Sequence, residues 1–435
     1  MNKYLKQLRK FARAVLMKKL AILGRLIVRK YKPLVIGVTG SVGKTSTKEA
    51  IYTALRTTKN IRRSRGNFNT EFGFPLAIIS DYAEVGGWLF WMGVVFRGFF
   101  QFILPDFIAR IFFGEYPQIL ALEYAADKPG DIRYLLKIAR PNIAVVTAIG
   151  DVPVHVEFYK DPDEVVKEKA GLVDELSGTA HVILNADEEK VLKMRDQTKA
   201  IVSTFGFDEK ADARIINFET KLESAGKGTV KKPVGIRFEI QSGDEKVPIN
   251  IGATLGKSQA YSVAAASAVA LRLGLNLTQI ADAFTYFQVP GQRVRLFSGK
   301  GDTSILDDSY NSSPVAAKLA IETIAEIKAK RKIAVLGDML ELGTFSDRAH
   351  SSIGRLASRV FDILITVGDK AKHIASAAKK EGMKESNVFH FKTADEVEEY
   401  LLKEMKKGDF ILIKGSKNIG LKKVAEALRL GKLVE

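Results

Sequence analysis

A glycine-rich turn that delivers a lysine and three hydroxyl groups to the start of a helix is suited to one kind of chemistry, the holding of a polyphosphate. The chain has such a stretch at Thr39-Gly40-Ser41-Val42-Gly43-Lys44-Thr45-Ser46. Successive backbone N–H groups in a turn of this kind point into one concavity at the helix N-terminus. Gly40 and Gly43 would let the backbone come close to phosphate. Lys44 would reach the β- and γ-phosphates, and the Thr45 hydroxyl would face Mg²⁺. The strict phosphate-loop pattern has glycine at position 38, where this chain has Val38. A chance glycine-rich turn is the alternative. The strand pattern before it, the helix pattern after it and the intact Gly43-Lys44-Thr45 favour phosphate.

The elements that must position this turn are legible around it. Leu34 to Val38 is a short apolar run and predicts a buried parallel strand. Lys32-Pro33 ends the helix before it, since proline cannot continue one. Toward the C-terminus, strands are predicted at Ser304–Asp307, Ile333–Leu336, Ile363–Val367 and Phe410–Lys414, alternating with helices in the rhythm of a Rossmann-like open sheet. With 435 residues the chain has room for two or three domains. The expected fold is α/β: a basic helix over 1–33, a phosphate-loop ATPase domain over 34–292 and a Rossmann-like domain over 293–435. Absence of cysteine excludes disulfides, thiolate metal sites and cysteine nucleophiles. A formal charge of +17 asks for an anionic partner. No nucleic-acid motif accompanies it, so nucleic acid is not the expected one.

That charge is unevenly placed. The first 33 residues hold eleven Lys and Arg and no Asp or Glu. Tyr4, Leu5, Leu8, Phe11, Ala12, Val15 and Leu16 recur at helical spacing. This basic amphipathic pattern suits an anionic membrane surface, or equally a helix packed on the body of the protein. A second unusual stretch, 85–117, is intensely apolar and aromatic, with Trp88 and Trp91. Val85–Leu104 is long enough to span a bilayer, but glycines and Arg97 interrupt it and Pro105 ends it. Phe107–Phe113 is too short to return. The expectation is an interfacial helical hairpin acting with the N-terminal helix, the alternatives being an insert packed on the protein or a contact between copies.

The variant Thr-Gly-Ser-x-Gly-Lys-Thr-Ser resembles the phosphate loop of the Mur ligases. Arg65–Ile78 is similar to their Gly-Asn-x-Asn segment. Ala121–Thr147 resembles a strand with a magnesium-binding Glu followed by a Pro-Gly-[Glu/Asp]-Ile helix. Ile305–Pro314, Val335–Gly343 and Leu412–Leu428 resemble the branch of the family that adds D-alanyl-D-alanine. The motifs stand in family order over roughly residues 34 to 430. The resemblance implies a reaction. ATP phosphorylates a substrate carboxylate, an amine attacks the acyl phosphate, and an amide forms with release of ADP and phosphate.

It also implies roles. Residues 39–46 would hold the nucleotide, with Thr45 and Glu123 on Mg²⁺. His155 would lie near a second Mg²⁺. Lys169 aligns with a lysine carbamylated in many of these ligases, a change that makes a cation into an oxygen ligand; a solvated lysine is the alternative. Lys44, His155, Lys169 and Arg293 make up the expected catalytic set. Arg293, with Arg295 as fallback, would reach ATP phosphate when the domains close. Gln259 would touch nucleotide and Asp308 the ribose.

The sequence departs from the family pattern in places. Ala148 replaces an Asn, and Gly171 a Glu. Ser258, Gln259 and Ser262 stand where the family has His-Asn-x-x-Asn. Only the basic helix precedes the first strand, so the family's N-terminal domain for the UDP-sugar is expected to be missing. The expected substrates are a muramyl peptide and D-alanyl-D-alanine. The expected location is cytoplasmic, peripheral on the inner face of the plasma membrane. Two other functions remain open: a ligase of the same superfamily with a substrate lacking UDP, and a non-catalytic nucleotide-binding scaffold.

Overall fold

The computed structural model describes residues 3–66, 68–224 and 231–433. Asn67, within the Gly-Asn-x-Asn segment, lies outside them, as do the side chains of Tyr4 and Leu5 on the N-terminal stripe.

Two sheets carry the molecule. The first uses β1 (Leu34–Thr39), β2 (Ile61–Arg63), β3 (Ile119–Glu123), β4 (Ile143–Val146), β5 (His181–Asn185), β6 (Ile201–Gly206), β7 (Ala213–Glu223), β8 (Lys232–Ser242) and β9 (Glu245–Gly252). Their order is β2-β3-β1-β4-β5-β6-β7-β8-β9. Pairing is parallel as far as β7 and antiparallel beyond it. The central strands β3, β4 and β5 are buried along their whole length, which is why they read as unbroken apolar runs. The second sheet uses β10 (Arg295–Gly299), β11 (Thr303–Asp308), β12 (Arg331–Gly337), β13 (Ile363–Val367), β14 (Val388–Phe391), β15 (Asp409–Lys414) and β16 (Arg429–Leu433). Its order is β14-β13-β12-β15-β11-β10-β16, with a parallel centre and an antiparallel edge made by β10 and β16. The α/β class and all four C-terminal strands expected from sequence are present, and the strands differ only by a residue or two at their ends.

Helix α1 (Lys3–Tyr31) stops before Pro33 as expected. Of the two arrangements its sequence allows, packing on the body of the protein is seen in its second half. Leu20, Leu23 and Ile27 in its second half are buried in one core cluster with Val35, Phe74 and Leu120. Its first half stays outside that core, with Leu8 and Phe11 exposed. After α2 (Lys44–Leu55) and α3 (Gly73–Ile79), the apolar stretch folds as a hairpin of α4 (Trp88–Ile103) and α5 (Asp106–Phe113). No helix among the described residues is long and apolar enough to cross a membrane.

One face of α4 is seated on the protein, through buried Val94, Gly98 and Gln101. A Cβ on Gly98 would sit 3.3 Å from Leu23 and 3.4 Å from Ile79, so glycine permits the close crossing. Lys30 donates to the Gln101 carbonyl at 2.9 Å and lies 3.2 Å from Asp106, tying the end of α4 and the start of α5 to α1. The opposite face is bare. Thirteen of the nineteen large apolar side chains exposed among the described residues lie on α1, α4, α5 or at Val85, which makes this a patch and not a scatter.

Candidate active site

Strand β1 ends at the glycine-rich turn, and α2 begins at Lys44, so the leading N–H groups of that helix face outward from the turn. Gly40 and Gly43 hold φ of 140° and 90°. A Cβ on Gly40 would meet the Thr147 hydroxyl at 2.0 Å. Ser41 and Val42 donate their N–H groups to the Ala148 carbonyl at 2.7 and 3.0 Å. Replacement of the family Asn by Ala148 therefore leaves a backbone contact that needs no side chain.

The turn opens on a cavity of about 340 Å³. Ser41 to Ser46, Glu123, His155, Gln259, Arg293 and Asp308 all line it, drawn from both sheets and the segments after them. A short relay crosses its floor. Asn69 Nδ2 donates to Glu123 Oε1 at 3.0 Å, the Thr45 hydroxyl to Glu123 Oε2 at 3.0 Å, and Arg293 Nη2 to Thr45 Oγ1 at 3.1 Å. Lys44 Nζ folds back onto the Gly40 carbonyl at 2.7 Å. Burial would raise the Glu123 carboxyl, but Lys48, Lys44, Arg293 and the Asn69 amide together hold it below the ordinary carboxylate range. It is an anion by construction. Burial pushes the ammonium groups of Lys44 and Lys48 down.

Arg293 is held from several sides. Its guanidinium lies 3.9 Å from the Tyr310 ring centroid. The backbone around it is strained, with Gln292 at φ 59° and Val294 at φ 55°. For a β-branched valine that is a true outlier, maintained by an Asp308 bond to Val294 N–H at 3.2 Å and a Thr254 bond to the Val294 carbonyl at 2.7 Å. Arg295, the fallback, does not line the cavity.

Other expected residues sit differently from the simplest picture. Thr39 is buried, and its hydroxyl donates to the Tyr124 carbonyl at 2.9 Å, behind the turn. Asp308 has both oxygens engaged, one with Val294 and the other with Lys414 Nζ at 2.6 Å. His155 bridges the two sheets' territories, Nδ1 lying 2.6 Å from Glu341 and Nε2 3.4 Å from Asp127. The histidine contact holds the Glu341 carboxyl below its usual range. Both partners adopt left-handed backbone, φ 68° and 63°. Gln259 is buried, its Nε2 donates to the Arg293 carbonyl at 3.3 Å, and its Oε1 has no partner among the described residues. Ser258 lines the main cavity and an adjoining one of about 470 Å³; Ser262 lines only the latter.

Lys169 is buried on α7 (Pro162–Asp174), which follows α6 (Asp131–Leu136), and is not among the residues lining the cavity. Among the described residues no carboxylate is within ion-pair distance of it. Burial, then the nearby Lys44 charge, brings its ammonium down to about 7, against opposing pulls from Asp127, Glu168 and Asp131. At that value much of the amine is neutral and nucleophilic at physiological pH.

No cluster of three or more carboxylates and histidines able to hold a metal is found among the described residues. Mg²⁺ nonetheless fits, because it characteristically takes one or two protein oxygens and completes its shell from phosphates and water. Thr45 and Glu123 supply such a pair beside the turn. Sequence reasoning missed Lys48 and Glu341. Lys48 lies one helical turn after Lys44, a spacing that could have signalled a shared face.

The comparisons follow the same outline. A model of the Mur ligase middle domain matches residues 111–270, and one of the Mur ligase glutamate ligase domain matches 292–417. The UDP-N-acetylmuramoyl-tripeptide–D-alanyl-D-alanine ligase of Bacillus subtilis is 28% identical over 397 residues, covering 91% of this chain and 75% of that one. Its counterpart from Mycobacterium tuberculosis is 28% identical over 415 residues, covering 91% and 72%. Among solved structures, MurF ligase from Thermotoga maritima in complex with ADP superposes with a TM-score of 0.74 at 25% identity, covering 94% of this chain and 83% of that one. MurF from Acinetobacter baumannii gives 0.73 at 23%, covering 94% and 79%.

Proposed function

Built of the middle and C-terminal domains of the Mur ligases, the chain is an ATP-dependent ligase, and we propose that it joins D-alanyl-D-alanine to a muramyl tripeptide in peptidoglycan-precursor synthesis. The observation that carries this is the Asn69–Glu123–Thr45–Arg293 relay, which gathers residues from both parts of the chain around the phosphate turn.

The residues divide the work. The turn and the first N–H groups of α2 bind the polyphosphate, and Lys44 leaves the Gly40 carbonyl to meet it. Mg²⁺, held by Thr45 and Glu123, would supply charge neutralisation on the phosphates. Arg293 reaches the same phosphates from the seam between the sheets and stabilises the charge that develops as the peptide carboxylate attacks. Phosphoryl transfer to that carboxylate gives an acyl phosphate and ADP. The amine of D-alanyl-D-alanine then attacks the acyl carbon, phosphate leaves, and the amine proton is lost to solvent or a nearby base. The cavity's partners across the seam, His155 and Glu341, keep water from the acyl phosphate while the parts are closed. Asp308 contacts the ribose through lone pairs left beside its bonds to Val294 and Lys414, and Gln259, which lines the same cavity, contacts the nucleotide. Lys169 is carbamylated, since an amine neutral near pH 7 can take up CO₂; bicarbonate raising activity, and a mass gain lost in Lys169→Met, would follow.

The enzyme works on the cytoplasmic side, at the inner face of the plasma membrane. Support comes from the acid-free first 33 residues and the exposed apolar face of α1 and α4. Phosphate release from Mg-ATP tests the whole proposal. It should need both UDP-linked muramyl tripeptide or a related acceptor and D-alanyl-D-alanine. Release that ignores the dipeptide would sink the amide reading.

A further inference from the structure

The apolar face is more than a surface. Between α1 and α4 runs a groove of about 1210 Å³, lined by Phe11, Leu16, Trp88, Met92, Phe96 and Phe99. That exceeds the roughly 300–1,000 Å³ of a usual small-molecule site. A second cavity adjoins it. Ala12, Leu16 and Trp91 are shared with this second cavity, of about 570 Å³, whose far wall is Phe68, Thr70 and Phe72. Thr70 in turn borders the active-site cavity, next to Asn69 and Glu123. A series of adjoining cavities, each sharing wall residues with the next, therefore leads from the bare helices to the relay that would meet the reacting carboxylate.

Chemistry changes along that path in a definite order. The outer part is hydrocarbon and aromatic, with Lys19 on its wall. At the middle stands Arg13, which lines the second cavity with its guanidinium 4.9 Å from the Phe72 ring centroid. Among the described residues Arg13 forms no ion pair. The inner end is the polar cavity with its magnesium-binding pair. Apolar, then cationic, then polar is the complement of an amphiphile with a long chain, an anionic link and a peptide head.

Resting on the ligase function proposed above, we propose that the acceptor is lipid-linked: its hydrocarbon chain lies in the α1–α4 groove, its phosphate link at Arg13 and Lys19, and its peptide carboxylate at the Asn69–Glu123 end. The lipid chain takes the part of a handle. Nothing in the path itself selects a nucleotide.

The test uses the full chain and its own fluorophores. Its only two tryptophans, Trp88 and Trp91, both line the groove, Trp91 facing the second cavity as well, so emission excited selectively from tryptophan reports on this region. A polyprenyl diphosphate-linked muramyl tripeptide with a brominated chain, offered in zwitterionic micelles, should quench that emission saturably. Met92→Glu with Phe96→Glu should weaken this by about tenfold or more, as should Arg13→Glu, with the unfolding midpoint as the folding control. The same acceptor without bromine should show kcat/KM at least about tenfold above its UDP-linked counterpart. Quenching by brominated anionic phospholipid vesicles alone, with none from the brominated acceptor, would make the face a bilayer contact only and overturn the proposal. Equal turnover of the two acceptors, indifferent to the groove variants, would overturn it too. Saturable quenching with no phosphate release from either acceptor would leave the groove assignment standing and remove the ligase reading beneath it.

Discussion

The polar cavity and the bare face of α1 and α4 break opposite rules of protein architecture. Around the cavity, charges are taken out of water: Lys48, Glu123, Lys169 and Lys414 are all buried. On the helices, hydrocarbon is left in water: Phe11, Trp88, Phe96 and Phe107 are more than three-fifths exposed. Each departure costs folding free energy, so each is informative where an ordinary core or surface would not be. They differ in how the cost is met. Around the cavity Lys48, Glu123 and Lys414 are offset by hydrogen bonds and opposite charges, while Lys169 meets the cost by shifting toward the neutral amine. The helical face has no such internal compensation among the described residues and simply forgoes the stabilisation that burial would give.

The sharpest way to test that contrast is at Lys44. Lys44→Ala should lower phosphate release by on the order of 10³-fold, yet leave the thermal midpoint no lower, because burial disfavours this ammonium in the folded state. A drop in both would mean the lysine is structural. Glu123→Gln comes next, with a loss of activity on the order of 10². Its carboxyl is held below the ordinary range, so it stabilises the fold above that range and the contribution is lost as pH falls through the folded value. Denaturation midpoints of the variant should therefore fall less steeply in acid than those of the parent.

Lys169 titrates in the other sense. Its folded value of about 7 lies below the free value of 10.5, so between these the unfolded chain holds more protons and stability rises with pH. Parent protein freed of metal and of CO₂, so that Lys169 is an uncarbamylated amine, should gain stability from pH 7 to pH 10 relative to Lys169→Met; parallel curves would remove the buried-amine argument. The smallest effect belongs to the bare face. Met92→Glu should shift stability by no more than about 0.5 kcal/mol while reducing co-sedimentation with anionic vesicles. A large destabilisation would show that the face is packed in solution.

Much of this was legible beforehand, for reasons that differ by region. The first strand and four strands of the second sheet could be read because burial forces apolar runs, as in Leu34–Val38 and Ile363–Val367. The turn could be read because phosphate binding restricts residue type at neighbouring positions. The partners of those residues could not. Glu341 reaches His155 across nearly two hundred positions, and Lys414 reaches Asp308 across 106. Only the folded chain sets such distances. The two halves of α1 were hidden for another reason: an even basic pattern runs through both, and burial of Leu20, Leu23 and Ile27 is decided by what α3 and α4 present to them.

Helix α1 has a further consequence. Its 29 residues make a rod of about 43 Å, and one end is fused to the core just before β1 and the phosphate turn. A helix fused in this way would, on a surface, transmit direction as well as attachment. With its exposed side laid along a lipid surface, the mouth of the cavity would keep a constant height and tilt above that plane. The search for a partner confined to the same plane would then become two-dimensional, and encounter would be governed by surface density in place of bulk concentration.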